Sequence, residues 1–329
     1  MREDLLALDG VRKVNPEEDS LIQVLRPSAP GQDLVEWLAQ NAEAVLERSS
    51  SHPLMLFRGF SVGSPARFEQ AIMTLVPNLN TEYGDLSHKV QNTNFVQEAT
   101  PYPADRAILY HNEASHTPTW PERICFYCQV PAARDGETPI LPCDRMLQRL
   151  PAALRDEFAA RGLRYIRNFI PGLDVPWQRF FATTDPESVE RQCRENGTQW
   201  FWRDDDGLRI ETNRPAVVNH PVSGEKLFFN QILLHHPAVL DEETREDLLS
   251  LCDGEFPRSV TYGDGSPIPD EVVEEVLQAA VDASICFDYE PEDVVLVDNI
   301  AFAHARRPYT PPRSVRVLLS RFVGDEVLV

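Results

Sequence analysis

The residues best equipped for chemistry stand in two short stretches, far apart in the chain. The first is Tyr110-His111-Asn112-Glu113. Side chains two places apart on a strand share a face, so His111 and Glu113 can chelate one metal while Asn112 faces away. An imidazole and a carboxylate make up two-thirds of the two-histidine, one-carboxylate set that leaves open positions on a non-haem iron. Alone the pair carries little weight, because eight histidines and 52 acids in 329 residues predict about one such pair by composition. The second stretch, VVLVDNIAFAHARRPYTPPRSVRVLLSRFV (294–323), gives it meaning. His304 follows an apolar run ending at Asp298-Asn299 and supplies a third ligand. After a proline turn come Arg313 and Arg316, competitors for holding the distal carboxylate of a small diacid by a two-point charged hydrogen bond. Arg316 is preferred because it opens the apolar run VRVLLS. The competing reading is a surface strand with solvated arginines.

Bringing position 111 to position 304 demands strands that converge. PLMLFRGF (53–60), AILYHNEAS, ERICFYCQV, GETPILP, and the runs at 216–219, 226–234, 293–298 and 315–323 all have β texture. Helical periodicity marks 33–48, 64–76 with Ser64 as its N-cap, 144–162, 241–252 and 270–284. The expected fold is mainly β with helical decoration, built on a jelly-roll (double-stranded β-helix) core in which opposing strands meet at one end. We expect one domain over 1–329. Within it, 168–212 is a long irregular insertion holding three of the five tryptophans, and is expected to form a lid over the site or a satellite apolar cluster. No glycine-rich phosphate loop and no βαβ alternation is present, which excludes a nucleotide-binding α/β fold.

Composition narrows the partners. A formal charge of −21 excludes a nucleic-acid binder and disfavours an anionic membrane surface. There is no signal-peptide pattern and no apolar run long enough to span a bilayer, so a cytoplasmic protein is expected. Cys125 and Cys128 have zinc-knuckle spacing, but three residues apart on a strand they face opposite sides and cannot share a metal. His220, His235 and His236 read as structural histidines. His116 lies close enough to the first stretch to touch a substrate.

With these residues in view, the chain resembles the TauD/TfdA family of Fe(II)/2-oxoglutarate-dependent dioxygenases, in particular its SyrP-like branch. The similarity is carried by PLMLFRGF, ATPYPADRAILYHNEASHTPTWPERICFYCQVPAARDGETPI (99–140), RPAVVNHPVSGEKLFFNQILLHH (214–236) and DNIAFAHARRPYTPPR (298–313). The resemblance implies Fe(II), 2-oxoglutarate and O2 as cofactor and cosubstrates, with His111, Glu113 and His304 as metal ligands. It places Thr138 at the hydroxyl that bonds the 2-oxoglutarate carboxylate, and Arg316 or Arg313 as the clamp. Arg321 falls near a position that holds a substrate anion in some relatives, and Asn230 lies in a family signature of undefined role. Retention of Glu113 implies hydroxylation rather than halogenation, with desaturation or cyclisation open to the same oxidant. The substrate expected is an amino acid or a derivative, free or tethered to a carrier protein.

Residues 145–167 carry six arginines against two acids, so an acidic carrier could dock near Arg145, Arg149 and Arg155; a solvated helix face is the plainer reading. Two other classes stand against the oxygenase: a jelly-roll binding protein without chemistry, and a cupin-like hydrolase or isomerase that needs no diacid clamp. Residues 304–324 hold five arginines and no acid, so an anion would meet a positive strand inside an acidic protein.

Overall fold

The segment RICFYCQV is apolar at both alternating positions, which a strand tolerates only when both of its faces are covered. In the computed structural model, which describes residues 1–76, 78–80, 93–98, 102–170, 173, 175–204, 207–252 and 254–328, both faces are covered. Nine strands define the frame: β1 (Gln23–Leu25), β2 (Leu54–Phe57), β3 (Ile108–His111), β4 (Arg123–Val130), β5 (Ile140–Pro142), β6 (Ile285–Cys286), β7 (Val294–Asp298), β8 (Phe302–Arg306) and β9 (Ser314–Ser320). One sheet runs β1-β2-β7-β4-β9 and is continued by Leu79–Asn80 and Gln97–Glu98. A second runs β6-β5-β8-β3, with Arg12–Lys13 at its β6 edge.

The two sheets enclose one apolar layer. Ile124, Phe126, Cys128, Leu54, Leu56, Val295, Val315 and Leu319 come from the first sheet and meet Ile140, Ile285 and Phe302 from the second. On its outer face the first sheet packs Cys125, Tyr127, Leu296 and Leu318 against helices α1 (Leu34–Ser49) and α2 (Pro65–Leu75). On its outer face the second sheet packs Leu109, Leu141, Ala303 and Ala305 against α3 (Cys143–Arg149), α4 (Ala152–Arg161) and α5 (Asp270–Ala283). Mixed sheets between helical layers are thus the observed class. Cys125 and Cys128 sit in different apolar layers, and all six cysteines are buried without a disulfide. Among the described residues no helix is long and apolar enough to cross a membrane.

Local signals were accurate where a cap fixes them. Asp33 accepts from Glu36 N, Ser64 from Arg67 N and Asp241 from Thr244 N, and each opens a helix. Two readings are corrected. The run 226–234 leaves the strand after Phe228 and turns into a short helix at Ile232–His235, because Asn230 and Gln231 engage buried partners rather than a ladder. Residues 168–212, of which 171, 172, 174, 205 and 206 lie outside the described residues, are not irregular. They hold helices at Trp177–Phe180 and Pro186–Glu195 and strands at Gln199–Trp202 and Leu208–Arg214. Those strands join Leu163–Phe169 and Arg258–Tyr262 in a separate four-stranded sheet. The aromatics expected there form their own cluster: Phe169 and Trp177 are buried with Val189, Cys193 and Leu208, under Phe180, Phe181, Trp200 and Trp202.

One buried ion pair ties the first sheet together. Arg58, just after β2, binds Asp293, just before β7, through Nε–Oδ1 at 3.0 Å and Nη2–Oδ2 at 2.5 Å, and donates to Asp288 O at 2.8 Å. Arg58→Ala strands a buried carboxylate, so it should lower unfolding stability by about 3–5 kcal/mol. Replacing both partners with apolar residues should cost clearly less. Denaturant titration of the two variants checks this; equal losses would show that the charge imbalance is not the cause.

Candidate metal centre and the cavities beside it

The ends of β3 and β8 bring the sequence-distant candidates together. These strands pair antiparallel, with His111 directly opposite His304 and ring centroids 4.2 Å apart. Alternation along β8 turns His304 towards the space between the sheets, where Phe126 of β4 meets it edge-on at 5.1 Å, and turns Ala303 and Ala305 towards the helices. Glu113 arrives differently from the expectation. β3 ends at His111, so the pleat does not aim Glu113; a turn does, and the next residue, Ala114, has φ 58.

That turn is held by amide side chains. Glu113 N donates to Asn299 Oδ1 (2.7 Å), while Asn299 Nδ2 donates to Glu113 O (3.0 Å) and Pro121 O (2.9 Å). Asn112 does face away from the cluster. Its Nδ2 donates to Asn299 O (2.7 Å), and its oxygens accept from Asn230 N (3.2 Å) and Gln231 Nε2 (2.9 Å). Sequence reasoning missed Asn299 and Gln231. Both lay in stretches already singled out, but amides carry no spacing rule that reveals which backbone groups they satisfy.

The three ligand atoms lie within 4.8 Å of one another. Glu113 Oε2 is 3.7 Å from His111 Nε2 and 4.0 Å from His304 Nε2. These gaps are longer than hydrogen bonds and shorter than twice a metal–ligand bond of about 2.1 Å, which suits three donors around one ion. His111 Nδ1 lies 2.8 Å from Leu109 O. A carbonyl only accepts, so Nδ1 carries the proton and Nε2 presents its lone pair to the cluster. His304 Nδ1 is buried with no hydrogen-bond partner. Burial, with His111 alongside, holds the His304 pKa down to about 3, so its ring is neutral at pH 7. Burial pushes Glu113 upward, but the neighbouring histidines outweigh it and keep the carboxyl below its usual range. Two imidazoles and one carboxylate form a donor set that fits a divalent metal ion.

The cluster opens into a cavity of about 1010 Å³ between the two sheets, lined by Ile124, Phe126, Val315, Val317 and Leu319 from the first sheet. At one end stand Thr138 and Arg313. Arg313 donates from Nε to Gly136 O (2.8 Å) and from Nη2 to Thr138 Oγ1 (3.3 Å), and burial holds its pKa below the usual guanidinium value. Gly136 has φ +75, and a Cβ there would lie 2.7 Å from Tyr309 Cβ and 3.2 Å from Arg313 Cδ, so the glycine admits the guanidinium to this corner.

Arg316 is placed differently. On β9, Val315, Val317 and Leu319 face the cavity, so Arg316 faces the other way, with Nη1 2.7 Å from Glu98 Oε1 and Nε 3.2 Å from Gln129 Oε1. The preference for Arg316 over Arg313 is therefore reversed by geometry: alternation excludes the residue that enters the strand in that register. Arg321 is more than half exposed and pairs with Glu122, away from the cavity. Asn230 is buried and serves the backbone, with Nδ2 3.3 Å from Ala216 O and Oδ1 accepting from Ile232 N at 3.1 Å. His116 lines the cavity, as does His235, which sequence had set aside as structural; their rings are 5.0 Å apart. His220 and His236 do accept backbone N–H groups, from Ser223 and Ala238. Arg306, two residues beyond His304, binds the carbonyls of Tyr102 (3.2 Å), Pro103 (2.5 Å) and Arg106 (2.7 Å) and so fastens the rim of the cavity to the strand that carries His304.

A second cavity of about 290 Å³ adjoins the first. His116, His235 and Arg258 line both. Its far wall comes from 168–212, through Phe180, Phe181, Thr198 and Thr212.

Comparison with known proteins places these features. Residues 22–321 match the profile of the family described as taurine catabolism dioxygenase TauD, TfdA family. The dapdiamide synthesis protein DdaC of Enterobacter agglomerans is 34% identical over 308 residues, covering 91% of this chain and 93% of DdaC. Among solved structures, PvcB, an Fe, alpha-ketoglutarate dependent oxygenase from an isonitrile synthetic pathway, superposes with a TM-score of 0.53 at 15% identity, covering 93% of this chain and 89% of PvcB. The Pseudomonas aeruginosa PvcB structure gives a TM-score of 0.52 at 14% identity, covering 91% and 85%. An asparagine oxygenase solved with Fe(II), 2S,3S-3-hydroxyasparagine and succinate gives 0.52 at 12% identity, covering 87% of this chain and 79% of its own. At such identities these structures speak for the fold.

Proposed function

The chain belongs to the taurine catabolism dioxygenase TauD, TfdA family, an Fe(II)- and 2-oxoglutarate-dependent oxygenase by that membership, and on this premise we propose that it hydroxylates an unactivated C–H bond of an amino acid or amino-acid derivative in a natural-product pathway. The observation that carries the reading is the convergence of His111 Nε2, His304 Nε2 and Glu113 Oε2 at one end of a large cavity. The sandwich is read as a jelly roll in a single domain. In this reading His111, Glu113 and His304 hold the iron. When bound, the metal supplies the oxidising chemistry in which 2-oxoglutarate, O2 and R–H become succinate, CO2 and R–OH.

The protein's own part is positioning. Arg313, backed by Thr138, takes the far carboxylate of 2-oxoglutarate, and the Leu109 carbonyl keeps the His111 tautomer that leaves Nε2 free to bind. Asn299 holds the turn that delivers Glu113. The apolar residues of β4 and β9 keep water from the reacting carbon, and 168–212 acts as a lid that closes over the outer chamber. Support for the substrate class comes from the relatives: a dapdiamide synthesis protein, an oxygenase of an isonitrile pathway, and an oxygenase captured with hydroxyasparagine and succinate.

Substrate-dependent succinate release across a panel of free and carrier-bound amino acids tests the proposal; release that no amino acid stimulates would overturn the substrate class. Whether the substrate comes on a carrier is open to a separate test. Arg145 and Arg149 are exposed and Arg155 is half-buried, whereas Arg161 and Arg164 are engaged with Asp264 and Glu211. Charge reversal at Arg149 and Arg155 should slow turnover of a tethered substrate and spare a free one. Equal effects on both would sink the docking face.

A further inference from the structure

One wall of the large cavity is a row of residues paired straight across the first sheet. Phe126 on β4 stands opposite Val317 on β9, and Val317 stands opposite Gln97 on the strand Gln97–Glu98. Directly paired residues share a face of a sheet. The face that turns Phe126 to His304 and Val317 to the cavity therefore turns Gln97 inward as well. Gln97 lines the cavity at 7% exposure, and among the described residues its Nε2 has no hydrogen-bond partner. Neighbouring strands lie about 4.8 Å apart, so Gln97 stands about 10 Å along the sheet from Phe126. Its row is also removed from the corner of Arg313, by four residues of chain or about 13 Å of strand.

Packing does not call for an amide at this position. The neighbours on the same wall are Ile124, Phe126, Val315, Val317 and Leu319, which a leucine or methionine would join without strain of polarity. A buried N–H that finds no acceptor costs folding free energy, and an apolar side chain of similar size would avoid that cost. The group becomes useful when a ligand brings the missing acceptor. The same surroundings decide which ligand that is. An ion drawn from water onto an apolar wall loses its hydration, whereas an uncharged planar group loses far less. A primary carboxamide matches Gln97 bond for bond: its carbonyl accepts from Nε2, and its own N–H donates to Oε1.

We propose that Gln97 is a specificity-determining residue that binds a primary carboxamide of the substrate. The inference rests on the oxygenase reading above and narrows the substrate to an amino-acid derivative with a carboxamide several bonds from the carbon attacked. Gln97 takes no part in the oxidation. It fixes how far the substrate enters the cavity, and so which carbon faces His111, Glu113 and His304.

The test is calorimetric, without oxygen, on the protein loaded with Fe(II) and saturating 2-oxoglutarate. The probes are the ω-amides of L-glutamate, L-2-aminoadipate and L-2-aminopimelate, each against its parent acid. At least one amide should bind tenfold or more tighter than its acid. Gln97→Met keeps the length of the side chain and removes donor and acceptor together, so it should abolish that preference. Gln97→Glu keeps the shape and loses the donor, and should abolish it too. Binding of 2-oxoglutarate should stay unchanged in both variants. Melting without ligand supplies a readout that a merely structural amide would fail: Gln97→Met should unfold no lower than wild type. A lower melting temperature would show the amide serving the fold and overturn the proposal. Equal binding of amide and acid, no binding of any amide, or a preference that survives Gln97→Met overturns it as well. Failure of the oxygenase reading looks different: wild type then gives no visible band with Fe(II) and 2-oxoglutarate, whatever the titrations show.

Discussion

His111→Ala and Glu113→Ala are expected to lose the weak visible charge-transfer band that Fe(II) and 2-oxoglutarate give without oxygen, and to release succinate at below about 1% of the wild-type rate. The physical reason is the small donor set. Three side-chain atoms within 4.8 Å supply all the protein ligands in this cluster, and Glu113 is its single negative charge. Losing even an outer partner of a metal ligand commonly costs about 10–100-fold, so losing a ligand costs more. His111→Ala also removes the ring that faces His304 across the ladder, so circular dichroism and melting should accompany the assay. A folded Glu113→Ala variant that keeps the band and the succinate would overturn the metal assignment. Asn299→Ala should fall between, because it leaves every ligand in place and loosens only the turn that carries Glu113.

Arg313→Gln should raise the KM for 2-oxoglutarate by about 100-fold, the effect of removing one partner from a desolvated charge pair, about 2–5 kcal/mol. Arg316→Gln should change it by less than about threefold, within the range of a surface ion-pair change. The contrast rests on alternation. Arg313 precedes β9 and reaches the corner where Gly136 and Thr138 stand, whereas Arg316 sits inside β9 on the face turned to Glu98. Thr138→Val should give a smaller rise than Arg313→Gln, since it removes a neutral hydroxyl. Steady-state kinetics with 2-oxoglutarate varied decides between the arginines; a large effect of Arg316→Gln with none at Arg313 would restore the sequence-based preference.

These two results also mark how far the sequence could be read. His111, Glu113 and His304 stood out because their residue types are potential metal donors in short stretches, whereas Thr138 was reached only through the family resemblance. The helix start at Ser64 was legible because a cap is a local device, complete within four residues. What failed needed long-range information. Strand register decides which of two nearby arginines faces inward, and a shift of one residue reverses the answer. The strand end at His111 was hidden because nothing local announces that Asn299, far along the chain, pins the next turn. Arg306 went unread and His235 was set aside as structural for a related reason: their partners, the carbonyls of a distant loop and the amide of Gln231, leave no periodic trace.

The cross-ladder pairing of His111 and His304 has a mechanical consequence. The two positions are about 190 residues apart in the chain and belong to adjacent strands of one sheet. An ion bound by both rings closes that loop as a removable staple, and bringing together the ends of a long loop is where such a closure stabilises a fold most in principle. Heat resistance would then report on metal content without any turnover. Preparations with different iron loading would unfold at different temperatures, and a chelator would loosen the meeting of β3 and β8 before it disturbed the helical layers on either side.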